Sequence, residues 1–158
     1  MPVSGFDHVA IPTTRPEELI GFYRALGFSV PGVEEWRKSG VPFFAIHFGE
    51  HKINVHAPGL FEQPGFTLRG PEALPGCGDF CFVWGGSLAS LRALLDEAGA
   101  EIVEGPVQRR GGRDGGRARG TSVYTRDPDE NLLEFIVYRS SAGTATASKE
   151  VEHPAEED

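Results

Sequence analysis

Two helical patterns of apolar residues stand out along the chain. Apolar residues recur at helical spacing after Thr14 and again after Ser87, and a glycine follows each run, Gly27 in the first and Gly99 in the second. Threonine and serine are favoured at the start of a helix, and glycine is favoured just past its end. The spacing predicts two amphipathic helices with these buried stripes: Leu19, Phe22, Tyr23 and Leu26, then Leu88, Leu91, Leu95 and Ala98.

Short runs of alternating apolar and polar residues, typical of β-strands, surround both predicted helices. One run precedes each helix, and three runs follow it, so the order strand, helix, three strands occurs twice. Aligning the two copies places Asp79 opposite His8. The sequence predicts an α+β fold in which paired βαβββ modules form open, curved, mixed sheets around a cavity. The predicted strands are 6–11, 28–33, 41–48 and 52–57 in module one, and 78–82, 101–107, 121–126 and 131–138 in module two.

We predict one domain over residues 1–139. Module one spans residues 5–57 and module two spans residues 77–139, and a proline- and glycine-rich linker, 58–76, joins them. Residues 140–158 are small and polar and then acidic, with no apolar pattern that a core could bury. This composition is typical of a disordered acidic tail.

Charge and cysteine content narrow the function classes. Acidic residues outnumber basic ones by 23 to 15, which argues against a general nucleic-acid or anionic-membrane surface. No apolar run approaches the length of a membrane span, so we expect a cytoplasmic protein with no membrane partner. Cys77 and Cys81 are too few and too close along a strand for a disulfide framework, and free thiols are expected.

His8 and Glu134 are the most informative residues for chemistry. Each lies inside an apolar strand-like run near one end of the domain. A glutamate with apolar neighbours is costly to bury unless it is paired. A cation bound by both residues would explain this pairing, whereas each residue alone could be a hydrogen-bonded strand residue.

Three local motifs stand out: Asp-His-Val at 7–9, the helix end at 21–28, and Arg-Asp-Pro-Asp at 126–129 leading into Asn-Leu-Leu-Glu at 131–134. With these motifs, residues 5–139 resemble the vicinal oxygen chelate superfamily, which contains glyoxalase I, the bleomycin- and fosfomycin-resistance proteins and the extradiol dioxygenases. Within the superfamily, the stretches 48–56, 78–82 and 104–107 are similar to short glyoxalase-domain proteins, some of them virulence proteins.

The resemblance implies a metal site on the module strands. It carries ligand roles to His8 and Glu134, and it places Asp79 where the metal enzymes of the superfamily usually have a histidine. The fourth-strand ligand corresponds to Asn54, with His56 two residues further along and on the same strand face. Asp79 is either a ligand or a residue that orients an imidazole. His8, His56, Asp79 and Glu134 together would suit a divalent Fe, Mn, Ni or Zn ion in the cavity.

Other polar residues are candidates for roles around such a site. Glu134, Tyr124 and His47 are the candidate catalytic residues, the last two for proton transfer or for orienting a ligand of the metal. Asn54, Arg109 and Arg110 are candidate substrate-binding residues. The two arginines begin the arginine- and glycine-rich segment 109–120. This segment is a mobile lid over an anionic substrate, a solvated loop, or a contact for nucleic acid or for the acidic tail of a partner.

The leading hypothesis is a divalent-metal-dependent enzyme that binds vicinal oxygens of a small substrate. Its chemistry would be that of a lyase or isomerase, or of a ring-cleaving dioxygenase, and the sequence leaves these open. The alternative is a metal-free protein that sequesters a small molecule, as the bleomycin-resistance proteins do. Open sheet edges and the superfamily resemblance favour a homodimer.

Overall fold

Within residues 1–139, which are those described by the computed structural model, seven strands form two separate sheets, one from each half of the chain. The predicted acidic tail, 140–158, lies outside the described residues. Along the chain the elements are β1 (His8–Pro12), α1 (Pro16–Ala25), α2 (Val33–Ser39), β2 (Phe43–Phe48), β3 (His51–His56), α3 (Pro58–Phe61), β4 (Asp79–Val83), α4 (Leu88–Glu97), β5 (Glu104–Arg110), α5 (Arg113–Gly116), β6 (Arg119–Arg126) and β7 (Leu132–Tyr138).

Both sheets are open and mixed, as predicted. The first sheet has the order β1-β3-β2, and the second has the order β4-β7-β6-β5. In each, the first strand of the module runs parallel to the last one, β1 to β3 and β4 to β7. The remaining pairs are antiparallel. The order β1-β3-β2 therefore corresponds to β4-β7-β6, and the second sheet has β5 as a fourth strand.

One hydrophobic core lies between the two sheets and joins the halves. It takes one face of each sheet together with the apolar stripes of α1 and α4, and the predicted leucines Leu19, Leu91 and Leu95 are almost fully buried in it. Ring contacts connect the halves directly, because Phe82 of β4 lies edge-on to both Phe28 and Phe48, at centroid distances of 5.0 Å. Neither module buries its apolar face without the other.

The first module departs from the predicted order at residues 28–33. Only Ser29 pairs there, as a single bridge to His47, and α2 follows in place of a longer strand. Pro31 has no amide hydrogen to donate to a sheet, and Gly32 then takes the N-cap position of α2. The corresponding strand of the second module is complete but shifted, since β5 begins at Glu104 rather than at 101.

A polar clamp ties the start of α1 to the turn between β6 and β7. It consists of Thr13, Thr14, Tyr23, Asp127 and Asp129. Thr13 donates its hydroxyl to Asp129, the amide and hydroxyl of Thr14 both donate to Asp129 Oδ1 at 3.1 Å, and Tyr23 donates to Asp127 at 2.9 Å. Thr14 was expected to cap α1, but Arg15 occupies the N-cap position. Both threonines instead donate hydrogen bonds to Asp129 of the second module.

Ser87 caps α4 as predicted. Its hydroxyl oxygen accepts a hydrogen bond from the amide of Ser90 at 3.1 Å, which satisfies one of the free amide groups at the start of that helix. The two helices that the apolar spacing predicts are thus present, and they begin in different ways.

Candidate functional site

Each sheet has an open face on the side opposite the core. On β3, Ile53 and Val55 are buried in the core, and the alternate residues Lys52, Asn54 and His56 lie on the other side. We call this surface open face A. Its rows across the strands follow from the register: His8, Lys52 and His47, then Ala10, Asn54 and Ala45, then Pro12, His56 and Phe43.

The second sheet carries the corresponding open face B. On β7, Leu133 and Phe135 belong to the core, so Glu134 lies on the opposite side. Glu134 stands beside Cys81 of β4 and Tyr124 of β6 in the strand register. Open face B also contains these residues, of which Ser122, Gly120 and Ile136 are buried: Asp79, Ser122, Gly120, Arg109, Ile136 and Tyr138.

The strand register makes the two open faces equivalent. His8 and Asp79 each begin the first strand of their module, and they pair with Lys52 and Leu132, respectively. Two residues further along these partner strands come Asn54 and Glu134. This register supports the predicted correspondence between His8 and Asp79. It also makes Asn54 the counterpart of Glu134.

The four predicted metal ligands do not meet within one chain. His8 pairs with Lys52 and His56 with Pro12, so the two histidines lie at opposite ends of β1, and Asp79 and Glu134 lie on the other sheet. Among residues 1–139, no three or more histidine, cysteine, aspartate or glutamate side chains are grouped to hold a metal ion. A single chain therefore offers two partial donor sets.

His8 is accessible on open face A. Its side chain is 45% exposed, and its Nδ1 lies 2.5 Å from Asp7 Oδ1. The hydrogen bond with His8, followed by the charge of His8, lowers the pKa of Asp7. The contact occupies Nδ1 and leaves Nε2 as the ring nitrogen available for a ligand. An oriented imidazole of this kind is a common arrangement in metal sites.

Glu134 is partly buried and already has hydrogen-bond donors. Ser122 donates its hydroxyl to Glu134 Oε1 at 2.6 Å. Burial, then the charge of Glu134 and a hydrogen bond to it, raise the pKa of Cys81 to about 12. The Cys81 thiol therefore stays protonated at neutral pH. Sequence reasoning did not single out Ser122 and named Cys81 only as a free thiol, although both lie on the Glu134 face by strand alternation.

Tyr124 is the polar residue on the other side of Glu134. Burial is the largest cause that raises its pKa, Glu134 adds to it, and Arg109 opposes it. The Nε of Arg109 donates to Tyr124 Oη at 3.0 Å. Because the oxygen accepts that hydrogen bond, the phenolic proton can be donated to the neighbouring Glu134 carboxylate. Tyr124 is thus a protonated hydrogen-bond donor beside a carboxylate.

The other candidates are spread over both sheets. His56 is partly buried, its ring lies edge-on to Phe66 at 5.3 Å, and burial followed by the charge of Arg69 lowers its pKa. His47 is exposed and lines a cleft of about 500 Å³ between the β2–β3 turn and β4. Arg110 points away from Arg109, because it lies on the opposite side of β5.

Beside Asn54, open face A leads into a smaller pocket of about 260 Å³. Trp36 of α2, Phe43 of β2 and the intervening Val41 form its apolar wall, and Lys52 supplies a charge. Trp36 and Phe44 are residues that the sequence offered as pocket lining, but α2, which positions Trp36, was not predicted.

Cys81 provides a direct test of the environment of Glu134. A pKa raised from 9.0 to about 12 reduces the thiolate fraction about 1000-fold, and the greater nucleophilicity of the more basic thiolate offsets part of this. In a Cys77→Ser background, we expect iodoacetamide to alkylate native Cys81 about 30-fold more slowly than the urea-denatured chain. Glu134→Gln should narrow that gap. Equal rates in the native and denatured chains would contradict the assigned environment.

Comparison with known proteins identifies the superfamily to which the chain belongs. No protein-family model matches it. It is 37% identical over 143 residues to the glyoxalase domain-containing protein RDO1 of Mycosarcoma maydis, covering 89% of this chain and 72% of that protein. It is 33% identical over 141 residues to virulence protein STM3117 of Salmonella typhimurium, covering 87% of both chains. The chain therefore belongs to the glyoxalase, or vicinal oxygen chelate, superfamily.

Solved structures agree with this fold. The crystal structure of virulence protein STM3117 superimposes with a TM-score of 0.71 at 32% identity, covering 88% of this chain and all of that chain. A lactoylglutathione lyase from Agrobacterium tumefaciens superimposes with a TM-score of 0.60 at 16% identity, over 86% of this chain and 95% of that one. That second likeness extends to the fold alone.

Across residues 1–139, no helix has the length and apolar character needed to span a membrane.

Proposed function

We propose that the protein is a divalent-metal-dependent enzyme that acts as a homodimer, in which open face A of one copy covers open face B of the other. The observation that carries this proposal is the split of the donor set, with His8 and Asn54 on one exposed sheet face and Asp79 and Glu134 on the other. Two copies arranged with two-fold symmetry would complete two identical sites.

The donor chemistry fits a transition metal, although the position of the donors within one chain does not. Imidazole and carboxylate ligands suit divalent Fe, Mn, Ni or Zn. His8 and Glu134 are the proposed principal ligands, and Asp79 and Asn54 are the nearest further oxygen donors on their faces. When bound, such an ion would polarise two neighbouring oxygens of a small substrate.

Residues of the chain itself would complete the chemistry. Tyr124 is a protonated phenol beside Glu134, so it can donate a hydrogen bond or a proton to an oxygen of the substrate. Ser122 holds one Glu134 oxygen in place through its 2.6 Å hydrogen bond. His47 stands in the same row as His8 and is a further candidate for proton transfer. The reaction would be a lyase, isomerase or dioxygenase step.

Exposed apolar side chains support a partner on both faces. Phe43 on open face A is 49% exposed, and Val83, which follows Cys81 on the same side of β4, is 52% exposed. Large apolar residues exposed in this way are common at protein interfaces. A second copy would remove them from water and would enclose the ligands at the same time.

The test is metal content in dimers of defined composition. A His8→Ala chain and a Glu134→Ala chain, carrying different affinity tags, are co-expressed, and the mixed dimer is isolated through both tags. If each site takes His8 from one copy and Glu134 from the other, one of the two sites is intact. We expect about half the wild-type metal content in the mixed dimer and background levels in the two single-variant homodimers.

Three other results would contradict the proposal. A mixed dimer as metal-poor as both homodimers would mean that both ligands come from one chain. If the protein is a monomer in solution, no second copy is present to supply the other ligands of the site. Wild-type protein that neither retains nor takes up Fe, Mn, Ni or Zn would leave the metal-free alternative. Lys52→Ala is a matched control, because it changes open face A beside His8 without removing a proposed ligand.

Metal-free binding of a small molecule is the second candidate. The pocket of about 260 Å³ beside Asn54 favours it, since Trp36 and Phe43 supply apolar surface next to a few polar groups. Ser122 also satisfies one Glu134 oxygen without a metal. Retention of an apolar ligand by protein stripped of metal would distinguish this function.

A further inference from the structure

The positive charge of this acidic protein is concentrated at one hairpin. The whole chain has a formal net charge of −8, yet residues 109–119 contain five arginines and one aspartate. The hairpin joins β5 to β6 through α5, and two of its arginines lie against tyrosines of open face B. The sequence left open whether this segment is a mobile lid or a solvated loop.

Arg109 lies over the centre of open face B. Its guanidinium is 5.7 Å from the centre of the Tyr124 ring, and its Nε donates to the Tyr124 hydroxyl. Its nearest carboxylate is Glu104, at a loose 3.6 Å, and the Glu104 side chain is 62% exposed. The Arg109 side chain is itself 40% exposed. Its Nη1 also donates to the carbonyl oxygen of Gln108 at 3.2 Å. These contacts orient the guanidinium while solvent can still reach it.

Arg113 is held in a similar way. Its guanidinium lies 4.4 Å from the centre of the Tyr138 ring. Tyr138, Gly120 and Arg109 stand side by side on β7, β6 and β5. A Cβ atom at Gly120 would lie 2.6 Å from Ile136, so the middle position of this row has no room for a side chain. Arg109 thus lies against Tyr124, which is in the row of Glu134, and Arg113 lies against Tyr138, two rows further along β7 on the same face.

From this geometry we infer that Arg109 and Arg113 form an anion-binding subsite, and that the substrate is a small molecule bearing a carboxylate or phosphate group. Arginine that is stacked on an aromatic ring loses less freedom on binding, and its planar donors match both anions. This inference rests on the proposed function, because it names the substrate class of the same site. It assigns the hairpin a role in binding substrate.

The two arginines and the Glu134 carboxylate would lie near different ends of the bound substrate. An anionic group of the substrate replaces the loose contact of Arg109 with Glu104, which swings into solvent. Tyr124 donates a hydrogen bond to the part of the substrate that lies nearer Glu134. The substrate is thereby oriented with its anionic end toward the hairpin and its reacting end toward the carboxylate.

The experiment is a calorimetric titration of the full chain with inorganic phosphate, succinate and acetate, before and after removal of metal with a chelator. We expect Arg109→Gln and Arg113→Gln each to weaken binding of at least one of these anions about tenfold, which is the loss of one charged hydrogen-bonded contact. Tighter binding of phosphate or of succinate would distinguish a phosphorylated from a carboxylated substrate.

Arg110→Gln is the matched control. It removes the same charge from the neighbouring residue, but Arg110 is on the other side of β5. We expect less than about a twofold change there, since general charge attraction is screened by salt. Equal losses in Arg109→Gln and Arg110→Gln, or no binding of any anion, would overturn the inference. Binding that vanishes with the metal and ignores Arg109 would overturn it while leaving the metal site intact.

Discussion

Replacing Asp127 with alanine is expected to lower the free energy of unfolding by about 3–5 kcal/mol. Asp127 is 3% exposed and accepts four hydrogen bonds. Tyr23 Oη and Asn131 Nδ2 donate to its Oδ2 at 2.9 and 2.7 Å, and the amides of Asp129 and Asn131 donate to its Oδ1 at 2.9 and 3.0 Å. Alanine would leave these donors buried without an acceptor.

Urea denaturation followed by fluorescence measures this loss. Asp96→Ala is the control, because Asp96 is an exposed aspartate on α4 and its removal should change stability by less than about 0.5 kcal/mol. Similar stability of the two variants would show that the polar clamp does not stabilise the fold. Tyr23→Phe, which removes a single donor, should fall between them.

The same carboxyl predicts a dependence on pH. Burial raises the pKa of Asp127 above the ordinary value of 3.8, although its hydrogen bonds oppose the shift. Because the pKa is higher in the folded than in the unfolded state, protonation of Asp127 favours folding. This contribution to the free energy of unfolding is complete below the unfolded-state pKa of 3.8 and is lost as the pH rises through the folded-state pKa. The stability of the wild type relative to Asp127→Asn should therefore fall with rising pH across that window.

The Gly105→Ala substitution should have an effect of similar size, about 3–5 kcal/mol. Gly105 has a φ of 102°, and a Cβ there would lie 2.5 Å from the carbonyl oxygen of Ser122 and 3.0 Å from Val123 Cα. Both neighbours are backbone atoms of β6, so they cannot relieve the contact by a change of side-chain rotamer. The substitution would push β5 away from the strand that carries Tyr124.

Substitutions at two other glycines show how much of the stability loss comes from the backbone conformation and how much from the contact with β6. Gly115 has a φ of 61° and open space around it, so Gly115→Ala should cost only about 1 kcal/mol for the unfavourable backbone conformation. Gly112 has neither constraint, and Gly112→Ala should be close to neutral. Thermal or urea unfolding of the three variants gives the comparison. A Gly105→Ala loss no larger than that of Gly115→Ala would rule out the contact with β6.

Much of the fold follows from local patterns. Apolar spacing identified α1 and α4 because each has a one-sided stripe that the core buries. It missed α2, Val33–Ser39, for the same physical reason, since none of its residues is buried. Pro31 and Gly32 were included in a predicted strand that Pro31 interrupts. The polar clamp was also out of reach, because it joins residues more than one hundred positions apart.

The candidate site was less accessible to sequence reasoning. Alternation correctly placed Asn54 and His56 on one face of β3. Whether two side chains meet, however, depends on register, which sets His56 beside Pro12 and His8 beside Lys52. Register depends on the packing of whole sheets, which short sequence patterns do not specify. The separation of His8 from Glu134 is likewise a property of how the two modules pack.

The shared core has a consequence for the history of the chain. Repeats that fold separately can be lost, added or exchanged one at a time, as in repeat proteins whose units contact only their neighbours. Here Phe82 of the second repeat is buried against Phe28 and Phe48 of the first, and threonines of the first repeat satisfy an aspartate of the second. Loss of either half alone would expose the apolar face of the other, so we expect the two repeats to be retained together as one cooperative unit.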